Sequence, residues 1–431
     1  MREPIENLLE LIIDHRGKTP TKLGGEFSLA GVPVLSAKHV KTGEIIGRND
    51  LRYTDNKLYR RWMPTELEPG DILLTSEAPL GEVYLLPEQE FKFVLGQRVF
   101  GLRAKKDVID SRYLYYALTS PIVQNRLQIR ATGTTALGIR QSELLKVEID
   151  YPEDLEEQRR IAHILGTLDD KIELNRQLNA TLEQMARALF QSWFVDFDPV
   201  RAKASGEPTD SICRRFGLTP ELLALFPAEL EASALGEAPV GWSWETVDSL
   251  AAINDWTLSK RDTLAHIDYV EIAEVNRGEI GSITRYEPGQ EPSRAKRRVR
   301  HGDTVISTVR PDRGAYFLCL EPTPEMIVST GFAVVSPTKA PWSFIYSAVT
   351  SKKMLEHLGH VADGAAYPTV NPSIIGKREF AWPIDSAILQ AYHKQASELY
   401  SQSENRRRES RYLATLRDEL LPKLLSGELL V

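Results

Sequence analysis

The chain is written twice, and this constrains it more than any other feature. The segment from Tyr113, YLYYALTSPIVQNRL, and the segment from Phe344, FIYSAVTSKKMLEHL, share Tyr115/Tyr346, Ala117/Ala348, Thr119/Thr350 and Ser120/Ser351 at a constant separation of 231 residues. The same separation relates Gly133 to Gly364, Ser142 to Ser373, Lys146 to Lys377, Glu148 to Glu379 and Pro152 to Pro383. Upstream, LEPGDILLTS (67–76) corresponds to VRHGDTVIST (299–308), where Gly-Asp reads as a turn before a short β-branched strand. Whatever the first copy folds into, the second must fold into as well, so repeat architecture governs every later step. At about 150 residues per domain, 431 residues leave room for both copies and more.

Each copy has two parts. Residues 1–151 and 236–382 mix short β-like runs, Gly/Pro turns and one amphipathic helix, around Tyr113–Leu127 or Phe344–Leu358, which predicts a compact α+β domain. Residues 152–195 and 383–431 follow a proline and read as one long helix each. In the first, Ile161, Leu168, Asn175, Leu182 and Leu189 alternate with Leu165, Ile172, Asn179, Ala186 and Trp193 at spacings of four and three, a coiled-coil pattern. The second seam runs Tyr392, Ala396, Leu399, Ser403, Arg406, Ser410, Leu413, Arg417, Leu420 and Leu424. Both seams are apolar near their ends and polar at their centres, so antiparallel pairing sets middle against middle and a slipped register leaves Asn or Arg facing Leu. A helix of about 38 residues at 1.5 Å per residue is roughly 57 Å long, enough for a strut between two domains. The expected fold is therefore α+β, with two pseudo-repeated globular domains separated by two long antiparallel coiled-coil helices. The connector, 196–235, is rich in Ala, Glu and Pro and contains Leu222-Leu223 and Leu225-Phe226, so it is expected to be partly helical and docked.

Several chemistries lack their residues. The apolar fraction of 42% and charged fraction of 26% are those of a globular protein. No run approaches the 18 or so apolar residues of a membrane span, and the expected setting is the cytoplasm, without membrane contact. Cys213 and Cys319 are isolated, which makes neither a disulfide framework nor a zinc site. There is no Gly-x-Gly; Gly17-Lys18-Thr19 lacks the earlier glycine of a phosphate loop, whose position holds Ile12. Asn371-Pro372-Ser373-Ile374 lacks the second proline and the aromatic of an amino-methyltransferase motif and reads as a turn before a strand. Pro311-Asp312 has no Asp/Glu-x-Lys downstream, Asp169-Asp170-Lys171 reads as a solvated cluster on the long helix, and His357/His360 have no third ligand. No catalytic residue, metal site or cofactor is therefore expected on this chain.

Nucleic acid remains. Lys and Arg total 53 against 60 Asp and Glu, a formal charge of −7, but binding DNA needs only a local basic face. The most concentrated cations are Arg294, Lys296, Arg297, Arg298 and Arg300, followed by Arg310 and Arg313 around a Pro-Asp turn. Such a run repels itself unless it meets water or an anion such as phosphate, and a guanidinium held by a turn matches a guanine edge. The first copy offers Lys38 near its start, then Thr134, Thr135 and Arg140 in a Gly-containing loop. In the second copy the same loop carries Tyr367. Matching positions with different chemistry are what two readers of different sequences require; loop divergence alone gives the same pattern.

These strings together resemble the specificity subunit of type I restriction–modification enzymes, over essentially the whole chain. The residues that carry the likeness are LEEQRRI (155–161) after a proline, the helix end ALFQSWFVDFDPV (188–200), and LGEAPVGW (235–242) at the start of the second copy. In the second copy the Glu-Gln pair is reduced to Leu389-Gln390, a departure from the pattern. The resemblance implies two target-recognition domains, each reading one half of a split site in double-stranded DNA, and a helical ruler between them. It also implies two modification subunits carrying S-adenosylmethionine and the adenine methylation chemistry, and, in a full complex, restriction subunits that use ATP and Mg. Outward faces of the helices, including Leu178 and Phe194, are candidates for packing against partner helices. The rival reading is a structural adaptor whose two domains bind proteins; strong salt dependence of duplex binding separates the two, because neutralising phosphates releases counterions.

Overall fold

The computed structural model describes the whole chain except Arg16, Phe91, Thr134, Thr135, Lys260, Ala365, Ala366, Tyr367, Leu430 and Val431. The chain divides into two compact units, residues 1–173 with 410–431, and residues 174–409. Each unit takes in part of both long helices, which run Leu155–Phe194 and Ser386–Ser426. No helix among the described residues is long and apolar enough to cross a membrane.

In the first unit an antiparallel sheet has the strand order Leu9–Asp14, Val99–Ala104, Ile72–Ser76, Leu80–Leu85. A smaller sheet sets Val32–Leu35 antiparallel to Arg52–Thr54 and parallel to Val94–Leu95. The Gly-Asp turn enters Ile72–Ser76 in a defined way. Gly70 takes φ +85°, a conformation that costs a side-chain-bearing residue, and Asp71 closes the turn by accepting the Glu68 N–H at 2.8 Å. The single helix expected over Tyr113–Leu127 is two, Ser111–Thr119 and Pro121–Arg130. Ser120 caps the second and Pro121 occupies its first turn, where its missing N–H costs nothing. Ser111–Thr119 lies on the long helix through Tyr116 Oη to Asp169 (2.6 Å) and Arg112 to Asp170 (2.8 Å). Arg417, from the C-terminal helix, donates to the same Asp169 at 2.7 Å. The two aspartates read as a solvated cluster are thus a clamp.

The second unit repeats this plan. Its main sheet has the order Ala251–Ile253, Phe332–Pro337, Thr304–Ser307, Tyr316–Leu318, the counterpart of the first unit's strand for strand. Gly302 takes φ +86° and Asp303 accepts the Arg300 N–H at 2.9 Å. Its smaller sheet sets Ile267–Val270 antiparallel to Thr284–Tyr286 and parallel to Met326–Ser329, and adds Ala295–Arg298 beyond the latter. The paired helices here are Trp342–Val349 and Lys352–Val361. Asn371, expected in a turn, caps the short helix Pro372–Gly376, since its side chain accepts the Ser373 N–H. The connector forms helices Asp198–Ala204, Thr209–Phe216 and Pro220–Leu225, which place Val200, Ile212 and Leu223 in the core.

Within each unit the two helical segments run antiparallel. In the second, Asn175 donates to Glu409 (2.8 Å), Glu183 pairs with Arg407, and Phe190 and Trp193 pack on Tyr392, so one numbering rises as the other falls. In the first, Ile161 and Leu165 share a core with Leu421 and Leu424. Burial follows the four-three spacing: Ile161, Leu165, Asn175, Asn179, Ala186 and Trp193 are buried, with Leu168, Ile172, Leu182 and Leu189 half-buried. On the other helix Tyr392, Ala396, Ser403 and Leu424 are buried, and Leu399, Arg406, Leu413 and Leu420 half-buried. Phe194, expected on the outer face, is buried at 3% exposure against Phe344, Tyr392 and Trp242. The helix end is wrapped by the domain on more sides than a two-position seam describes. Leu178 is exposed at 36%.

Candidate nucleic-acid interface

In both units the central strand of the main sheet ends beside the glycine-containing loop that follows the paired helices. In the first, Ile139 N donates to Ser76 O (2.9 Å), and Thr132 and Gly138 form a narrow two-way bridge. In the second, Val370 N donates to Thr308 O (2.8 Å), and Asp363 and Thr369 form the same bridge. Past each strand end the chain turns through a side-chain-bearing residue of positive φ, immediately before a proline. These are Ala78 (+51°) before Pro79 and Arg310 (+47°) before Pro311. Such conformations persist only where the surroundings hold them, and they concentrate in loops that carry function. The two loop clusters are therefore the same backbone device with different side chains on it.

The second cluster is cationic. Pro311–Arg313 is a single 3-10 turn between Arg310 and Gly314, both left-handed. Arg310 N donates to Pro368 O (2.8 Å), which ties this turn to the facing loop. Arg313 is exposed and Arg310 half-buried. Tyr367 lies outside the described residues.

The basic run falls elsewhere, on a strand of the smaller sheet. Its outer side is met by Trp256–Leu258, with Leu258 N to Lys296 O at 2.7 Å and Arg298 N to Trp256 O at 3.2 Å. This separates cations that look equivalent in sequence. Arg298 is committed: it pairs with Asp262 at 2.9 Å, lies 4.2 Å from the Trp256 ring centre, and has a side chain only 12% exposed. Arg300 likewise pairs with Asp255. Arg298 is thus a structural residue, because a charge already met inside the chain has little left for phosphate. Arg294 is exposed; Lys296 and Arg297 are half-buried, and Arg297 Nε is buried without a hydrogen-bond partner.

The first cluster is milder. Lys38 is exposed on the turn after Val32–Leu35, which His39 braces by accepting the Ser36 N–H at 3.1 Å. Arg140 is exposed and precedes the short helix Gln141–Leu144; Thr134 and Thr135 lie outside the described residues. Arg140 opens onto a recess of about 670 Å³ together with Arg126, Arg130, Thr132 and Glu143. Arg126 is balanced by Asp150 (2.7 Å) and Arg130 by Glu143 (3.3 Å). Sequence reasoning missed Arg126 and Arg130, having read their helix for its apolar face; their spacing of four, just before the loop, was the available signal. Among the described residues no group of three or more His, Cys, Asp or Glu is arranged to hold a metal.

Comparison with known proteins agrees with this geometry. A family model described as the type I restriction modification DNA specificity domain matches residues 6–184. The HindI specificity subunit of Haemophilus influenzae, a type I restriction enzyme component, is 25% identical over 84% of this chain and 87% of its own length. The MjaIX specificity subunit of Methanocaldococcus jannaschii is 25% identical over 96% of this chain and 90% of its own. The crystal structure of the S subunit of a type I restriction-modification system from M. genitalium superposes with a TM-score of 0.54 at 18% identity, covering 98% of this chain and 95% of that one. At that identity the likeness is one of fold.

Proposed function

We propose that this chain, which belongs to the specificity-subunit family of type I restriction–modification systems, reads a split site in double-stranded DNA with one domain per half-site. It is a non-catalytic subunit. We assign 1–151 and 236–382 to the two target-recognition domains, 196–235 to a connector, and 152–195 and 383–431 to helices that act as a coiled-coil ruler for the spacer. The observation that carries this reading is the repeated strand order with, at the same strand end, loop clusters of different chemistry. Two copies of one reader gain nothing by diverging there unless they read different sequences. The half-site residues are Lys38, Thr134, Thr135 and Arg140 in the first domain, and Arg294, Lys296, Arg297, Arg310, Arg313 and Tyr367 in the second. Arg310 and Arg313 suit a base edge, the strand cations phosphate.

Adenine methylation, with S-adenosylmethionine, belongs in this proposal to two modification subunits, and ATP- and Mg-dependent cleavage to restriction subunits where present. Leu174, Leu178 and Met185, exposed at 48%, 36% and 53%, share one side of the first long helix and suit a partner helix of a modification subunit. Sequencing of methylated adenines in cells with and without the gene tests the whole reading. One motif, two short halves around a fixed gap, is expected to disappear. An unchanged methylome in cells that express the modification subunit would sink it. In vitro, adding one base pair to the gap turns one half-site by about a tenth of a helical turn and is expected to abolish methylation.

A further inference from the structure

The two Gly-Asp turns differ in how their buried aspartate is neutralised. In the first unit Asp71, 1% exposed, is held by Arg103, which donates from Nε to Oδ1 and from Nη2 to Oδ2, both at 2.9 Å. Glu68 takes the third guanidinium nitrogen at 2.8 Å. In the second unit Asp303 occupies the same turn, also 1% exposed. Strand register identifies the counterpart of Arg103. Leu102 faces Ile72 in the first sheet and Val335 faces Thr304 in the second, so the next residue along, Arg103 in one, is Ser336 in the other. The arginine is missing where its aspartate remains.

A recess of about 350 Å³ lies there instead, lined by Asp255, Arg300, His301, Asp303, Ser336 and Trp342. Asp303 Oδ1 and Ser336 Oγ are buried on its wall without hydrogen-bond partners. Arg300 does not replace Arg103: its Nε stands 3.7 Å from Asp303 Oδ1, while its Nη2 is drawn to Asp255 at the rim. Burial without a full partner pushes the Asp303 carboxyl up to about 6. A buried carboxylate oxygen in such a recess favours a cation that brings its own hydrogen bonds. The sister site shows the geometry that satisfies it, a planar fork on the carboxylate. The wall of Ala340, Pro341 and Trp342 adds an apolar and aromatic surface suited to the stem and face of a guanidinium.

We propose that this recess is a binding site for a guanidinium group, supplied by an arginine side chain of a protein partner or by a free guanidino compound. This goes beyond DNA reading and does not depend on it. The test is thermal unfolding of the full chain at fixed ionic strength and pH 7.5, with methylguanidinium as the probe and methylammonium as the control. Methylguanidinium is expected to raise Tm saturably and methylammonium to leave it unchanged. Asp303→Asn removes the acceptor and Ser336→Arg fills the site from within, so both variants are expected to lose the shift. Should Asp303→Asn fold poorly, Ser336→Arg, which restores the sister arrangement, carries the comparison. No shift with the native chain, or equal shifts in all three proteins, overturns the proposal. Under it, tenfold tighter binding of N-acetylarginine amide than of agmatine identifies a protein arginine, and the reverse a free guanidino compound.

Discussion

Gln158 is fully buried at the start of the first long helix, and its amide serves three backbone groups. Nε2 donates to Pro152 O (2.8 Å) and Val108 O (3.1 Å), and Oε1 accepts the Asp110 N–H (2.8 Å). Asp110 in turn caps helix Ser111–Thr119, so this one side chain joins the long helix to the helix that rests on it. Gln158→Leu keeps the volume and removes all three bonds. A buried amide N–H left without a partner costs about 1–3 kcal/mol; the carbonyls of half-buried Val108 and Pro152 add less, because water reaches them, giving about 2–4 kcal/mol in all. Urea unfolding measures the total, and hydrogen exchange over 105–120 and 152–160 locates it. Gln158→Glu is expected to lose least at low pH, where a neutral carboxyl can still donate, and more as pH rises and burial opposes the charge. The second copy supplies the converse. Its equivalent position is Leu389, 4% exposed in an apolar core, so Leu389→Gln is expected to destabilise rather than restore a joint. A Gln158→Leu protein within about 0.5 kcal/mol of the native chain, with unchanged exchange, would refute the reasoning.

Arg310→Ala is expected to weaken binding to one half-site by about 1–3 kcal/mol and to relax its base preference; a uniform loss on all sequences in a duplex-binding assay makes it a phosphate contact instead. Leu178→Glu is expected to weaken co-purification with the modification subunit while leaving Tm nearly unchanged, since the side chain is already exposed. For Asp303 the folded-state carboxyl sits near 6, above its ordinary 3.8, so folding favours the protonated form. Stability is then lost as pH rises from about 4 to 6, by up to ~3 kcal/mol, and the loss persists above. The gap in urea midpoint between Asp303→Asn and the native chain is expected to open over that window in favour of the variant; a gap independent of pH would contradict this.

What could be read from the chain was what is local. The four-three spacing places Ile161, Leu165, Asn175, Asn179 and Ala186 on one stripe, and a stripe on a helix is a property of neighbouring residues alone. The Gly-Asp turns and their strands were legible for the same reason, Gly70 and Gly302 supplying the positive φ and the aspartates the closing bond. Phe194 was misplaced because its surroundings come from Phe344, Tyr392 and Trp242, far along the chain. The basic run failed similarly. Nothing within a few residues of Arg298 distinguishes it from Arg294, and only folding brings Asp262, 36 residues away, to its side. Charge density in sequence counts cations; availability depends on which of them the fold has already paired.

A repeat turns that limitation into information, because each copy is a substitution experiment on the other. Gln158 against Leu389, and Arg103 against Ser336, are changes at equivalent places in the same fold. At the first pair the surroundings changed too, leaving an apolar core where a polar joint had been. At the second they did not: Asp303 kept its place and its burial, and its lost partner left a recess. A compensated difference is drift within a stable core. An uncompensated one carries an energetic penalty for the chain alone, and it persists under selection for stability only if something outside the chain removes it. The same criterion separates the two strand-end clusters from the scaffold that holds them. Their backbones match, their cations do not, and nothing in the fold requires Arg313 where the first copy has none.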